Sequence, residues 1–137
     1  MGCDIHIIQE VLIDGQWRYY NYRDSMGRDY EMFSVVAGVR GNEDPIVEPK
    51  GHPDNMDWMT KRILEYWKLD AHTKTWFGPY EIYRLKEWYE KTKGKFCFRF
   101  YEDFGYLFGN SWTSLTECPD AVPKDILNIR WIIWFDN

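Results

Sequence analysis

The stretch Cys3-Asp4-Ile5-His6-Ile7-Ile8-Gln9-Glu10-Val11-Leu12-Ile13-Asp14-Gly15-Gln16-Trp17-Arg18-Tyr19-Tyr20-Asn21-Tyr22 decides the fold. Its odd positions up to 13 are mostly apolar while Asp4, His6 and Glu10 share the other face, the period-2 pattern of a half-buried strand. Asp14-Gly15 tolerates the positive φ that a tight hairpin needs. Trp17, Tyr19, Tyr20 and Tyr22 supply a return strand of high β-propensity. Residues 3–13 and 16–22 therefore read as a β-hairpin. At the other end, Asn128 to Phe135 (NIRWIIWF) is nearly all apolar, as expected of a central strand buried on both faces beside that hairpin.

Between these strands the periodicity turns helical. A short helix is expected at 29–38, with Asp29 as N-cap and Gly41 just past its end. Residues 41–56 carry Pro45, Pro49 and Pro53 and no periodicity, so they read as a long loop of the kind that often has a function. Met59, Ile63 and Trp67 recur every fourth residue and place a helix at 57–68. Pro79 opens and Gly94 closes another, with Ile82, Leu85, Trp88 and Tyr89 on its inner side. Within 96–116 a strand at 96–101 precedes loops around Gly105 and Gly109. The expected fold is α+β: one domain, 1–137, with a small mainly antiparallel sheet and two or three helices packed on one face.

Composition narrows the function classes. The chain has 17 Lys+Arg against 22 Asp+Glu, a net charge of −5, which disfavours non-specific nucleic-acid binding. No apolar run is long enough to span a bilayer, and no secretory leader is expected, which places the protein in the cytoplasm. Cys3, Cys97 and Cys118 are odd in number without CxxC spacing and read as reduced structural thiols. Aromatic residues make up 19% of the chain, more than so small a core needs, which directs some of them to a pocket or interface. P-loop, dinucleotide-fold, GxSxG and HExxH signatures are absent from the sequence.

Four constellations carry possible chemistry. Asp4, His6 and Glu10 line one strand face, and the Asp-x-His spacing recurs at Asp70-Ala71-His72. Brought together, two such pairs would offer a nitrogen and oxygen set for a transition metal; kept apart, they serve ordinary polar roles. The loop expected at Asp70 to Trp76 gathers His72, Thr73, Lys74, Thr75 and Trp76, groups suited to a phosphate or ribose with the indole on a base, or equally to helix capping and core plugging. Arg40 at a helix C-terminus suits the helix dipole and can also reach an anion with two donors. Tyr106, Asn110 and Trp112, with Ser111, lie among glycines that permit close backbone approach. His52 reads as a solvated loop residue.

The opening Met1 to His6 (MGCDIH) resembles the start of a family of small bacteriophage and prophage proteins. The resemblance continues through Tyr30 to Arg40, Asp70 to Trp76, Gly105 to Trp112 and Trp134 to Asn137. Serines are expected where Thr73 and Thr75 stand; the hydroxyls remain. It implies a viral origin and carries over no catalytic residues. Small acidic phage proteins of this kind often counter bacterial defences, some by sequestering nucleotide-derived signals. The leading expectation is thus a small-molecule binding protein, without cofactor, catalytic residue or resident metal, acting as a homo-oligomer in the host cytoplasm. Its ligand-binding residues would be Asp4, His6, Arg40, His72, Thr73, Thr75, Trp76, Tyr106, Asn110 and Trp112. The alternatives are a metal-dependent phosphodiesterase or nuclease using Asp4, His6, Asp70 and His72, with Glu10 as general base, and an inhibitor whose exposed tryptophans mask a host protein.

Overall fold

A computed structural model of the chain describes residues 2–23, 28–93 and 129–137. Their elements run β1 (Asp4–Ile13), β2 (Gln16–Arg23), α1 (Tyr30–Ala37), α2 (Trp58–Tyr66), β3 (His72–Phe77), α3 (Pro79–Lys93) and β4 (Ile129–Asp136). The four strands form one antiparallel sheet in the order β2-β1-β4-β3. The hairpin and the central last strand thus stand as the sequence indicates, and the fold is α+β. No helix among the described residues is long and apolar enough to cross a membrane. The strand expected at 96–101, with Cys97, Tyr106, Asn110, Trp112 and Cys118, lies outside the described residues.

The hairpin turns at Asp14 and Gly15, at φ 50° and 78°, the conformation their residue types accept. Tyr20 is the extra residue of a bulge, because Gln9 faces Asn21 while Glu10 faces Tyr19. β4 is buried from Ile129 to Phe135, as its near-continuous apolar run requires.

Helices cover both faces of the sheet rather than one. Met32, Phe33, Val35 and Val36 of α1 and Ile82, Leu85 and Tyr89 of α3 pack on Ile5, Ile7, Trp131, Ile133 and Phe135. On the other face Ile63, Leu64 and Trp67 cover Ile8, Ile132 and Trp134. The reason is visible in β4: a strand apolar at every position needs a partner on each side. Met59 does not join the inner face of α2, being 42% exposed; Thr60 is buried there instead.

Two glycines separate roles that the sequence merges. Gly38, at φ 72°, and not Gly41 stops α1, whose last residue is Ala37 against the expected 38; the Gly38 N–H returns to the Phe33 and Ser34 carbonyls. A Cβ on Gly41 would lie 2.5 Å from Ser34 Oγ and 2.7 Å from the Tyr30 carbonyl, so that glycine permits the loop to fold back over the helix.

The loop at 41–56 is anchored rather than free. His52, expected in solvent, is half-buried and donates from Nε2 to the Ile133 carbonyl at 2.8 Å. Gly51 N donates to the Lys74 carbonyl at 2.9 Å, covering the outer edge of β3.

Candidate functional site

The antiparallel register brings separate stretches to one end of the sheet. Asp4 stands opposite Asp136, and His72 opposite Phe135. Two carboxylates face to face across a ladder repel, and each has its own hydrogen-bonding partner. Arg28 donates from Nε and Nη2 to the two oxygens of Asp4 at 2.9 and 3.3 Å. That guanidinium holds the Asp4 carboxyl below its ordinary range, its hydrogen bonds acting first and its charge adding to them. It lies over Gly2, where any Cβ would collide with it.

Asp136 Oδ2 lies 2.8 Å from His6 Nε2. The other His6 nitrogen, Nδ1, is 3.3 Å from the Tyr22 hydroxyl, which accepts from Trp67 Nε1 at 2.9 Å. An indole only donates, so the geometry orders the chain: Trp67 to Tyr22, the phenol to Nδ1, and Nε2–H to Asp136. The imidazole is 2% exposed, stacked on Trp134 at 5.2 Å and tilted against Trp67 at 4.4 Å. Such a chain fixes ring and tautomer, and it can pass a proton along its length.

The opposite face of the same sheet end carries Arg40, His72 and Thr73. Asn137 Oδ1 accepts from Arg40 Nη2 at 3.4 Å and from His72 Nε2 at 3.2 Å. With Nε2 donating, His72 Nδ1 accepts from the Thr73 hydroxyl at 2.9 Å. The His72 ring lies over Phe135 at 6.2 Å. Arg40 also approaches the buried Cys3 thiol, whose pKa is nevertheless raised because burial outweighs the nearby guanidinium. Arg40 and Thr73 sit at φ 62° and 51°. For non-glycine residues, and above all a β-branched one, this left-handed backbone is strained.

The sheet end thus gathers Asp4, His6, Arg40, His72 and Thr73. Thr75 and Trp76 lie further along β3. Thr75 is buried, its Oγ1 accepting from Lys50 N at 3.4 Å. Lys50 Nζ sits 3.8 Å over the Trp76 ring, so that face of the indole is occupied. The stretch from His72 is a strand and not the expected loop; its bulge between His72 and Thr75 is what turns Thr73 out of register.

The two Asp-x-His pairs are not combined. His6 is committed to Asp136 and His72 to Asn137, on opposite faces, and Asp70 is exposed. No three His, Cys, Asp or Glu side chains converge as metal ligands among the described residues. Glu10, considered as a general base, is fully buried against Arg130.

Sequence reasoning missed Arg28, Tyr22, Trp67, Asp136 and Asn137 as site residues. Their signal was pairing, since Asp136 continues the polar face of β1 only once β4 lies beside it. Two concavities lie elsewhere. One of about 350 Å³ is at the hairpin tip between Trp17, Arg18 and Trp58, and one of about 330 Å³ is between Asp44 to Ile46 and α3. The chain matches no protein-family model, no curated protein and no solved structure.

Proposed function

We propose that this is a phage-encoded binding protein that sequesters a nucleotide-derived immune signal, working as a homo-oligomer in the bacterial cytoplasm. Arg40, His72 and Thr73 hold the phosphate or ribose; Asp4 and His6, also assigned to the site from the sequence, stand on the other face of the same sheet end. Tyr106, Asn110 and Trp112 are assigned to the site from the sequence alone, the aromatics to stack on the base; Thr75, buried, and Trp76, covered by Lys50, stand back from it.

One observation carries the reading. Outside the hairpin turn, the two non-glycine residues at positive φ among the described residues are Arg40 and Thr73. Strain of this kind costs on the order of 1–3 kcal/mol per residue and collects where a ligand is held. Here it directs donors from Arg40 and from His72 onto a single oxygen, Asn137 Oδ1. A phosphate oxygen would ask for the same two donors, and an exposed guanidinium adds a bidentate grip.

The test mixes purified protein with cyclic and ADP-ribose-derived nucleotides. One half is filtered directly, the other after heat denaturation, and both are read by mass spectrometry. A nucleotide retained by the folded protein and recovered intact is the expected result. Arg40→Ala should weaken retention by roughly 10- to 100-fold, the loss of a charged hydrogen bond. Conversion of the nucleotide in both halves would make the protein an enzyme. An unchanged nucleotide in both would remove the small-molecule reading and leave a protein target.

A further inference from the structure

The solvent side of α2 and of the turn after it carries large apolar residues among its charges. Trp58 is 68% exposed, Tyr66 81% and Leu69, in the turn that follows, 94%. At about 100° per residue, positions 58, 62, 65 and 66 of the helix fall on one arc of roughly 100°. Arg62 and Glu65 lie between the apolar residues, paired within the helix at 3.5 Å and both well exposed.

This stripe is complementary to itself. Laid antiparallel on its own copy about an axis midway between Arg62 and Glu65, it sets Arg62 against the other copy's Glu65 and Trp58 against Leu69. Arg62 and Glu65 then each meet the opposite charge of the other copy. Trp58 also walls the 350 Å³ concavity beside Trp17 and Met56, whose remaining lining is mostly polar.

We infer that α2 is the two-fold contact through which two copies of this chain associate. Trp58, Tyr66 and Leu69 offer on the order of 500 Å² per copy, given ~150–250 Å² for each aromatic. That falls short of the ~800 Å² per partner of a standard interface, so the dimer is a weak, concentration-dependent one. The inference deepens the homo-oligomer part of the proposed function and does not depend on the ligand.

Sedimentation velocity of the full chain from low to high micromolar concentration tests it. A monomer–dimer equilibrium is expected, weakened at least about tenfold by Arg62→Glu or by Glu65→Arg, since each sets like charges together across the axis. The double variant Arg62→Glu/Glu65→Arg should recover dimerisation, because the swapped pairs still match. A folding fault in either single variant would persist in the double one, so recovery separates contact from misfolding. Leu69→Lys should leave a monomer. A parent that stays monomeric throughout, or self-association that these changes leave untouched, would overturn the inference. Nucleotide retention by monomeric Leu69→Lys would leave the ligand reading standing on its own.

Discussion

Glu10 and Arg130 show what one buried pair does in a chain this small. Glu10 is completely buried, and Arg130 meets its Oε1 from Nε at 2.9 Å and from Nη2 at 2.7 Å. The other carboxylate oxygen accepts from Asp57 N at 2.8 Å and the Thr60 hydroxyl at 2.7 Å, capping α2 in place of Asp57, which makes no side-chain cap bond. Arg130 also reaches Asn55 and lies 4.2 Å over Trp17. One ion pair thus ties two strands, a loop and a helix start. Removing one partner leaves a buried charge, and Arg130→Met should cost about 3–5 kcal/mol in urea unfolding. Glu10→Leu/Arg130→Met should recover only part of that, because Asp57 N–H and the Thr60 hydroxyl then lose their acceptor.

At the scale of elements, α1 illustrates how ends are set. Asp29 accepts from Met32 N at 3.2 Å at the start, as its residue type leads one to expect. The stop is decided by φ at Gly38 and the return path by space at Gly41, two different constraints on one residue type. Gly38→Ala should cost about 1 kcal/mol from the left-handed backbone alone, since its nearest neighbour is Pro45 Cγ at 4.0 Å. Gly41→Ala should cost about 1–3 kcal/mol, because the new methyl meets Ser34 and the Tyr30 carbonyl. Thermal unfolding of the two variants checks the order.

Across the whole molecule, the 41–56 loop is stitched to the sheet through His52, and this gives stability a pH dependence. Burial holds the His52 imidazole below its ordinary value of 6.5, and the Ile133 hydrogen bond only partly opposes it. The unfolded chain therefore takes up a proton there before the folded chain does. The contribution of His52 is whole above about pH 6.5 and fades as pH falls through the lower folded value. Asp4 behaves in the opposite range: its pKa is lowered from 3.8, so its contribution is lost only in acid below that value. His52→Gln, which keeps a donor for Ile133, should flatten the stability loss between about pH 7 and pH 5 when chemical unfolding is repeated at each pH.

Local periodicity by itself determined the hairpin, the three helices and the buried last strand, because alternation and 3.6-residue spacing are written within single segments. It also picked out Asp4, His6, Arg40, His72 and Thr73 by residue type. Long-range pairing was beyond it. β3 reads as a loop because its polar, bulged sequence becomes a strand only against β4. The cover on both faces was also beyond local periodicity, and the commitment of His6 to Asp136 and the meeting of Arg40 with His72 at Asn137 join residues 65 to 130 positions apart. Contacts at such separation leave no periodic trace in the chain. They exist only once the sheet has brought its ends together.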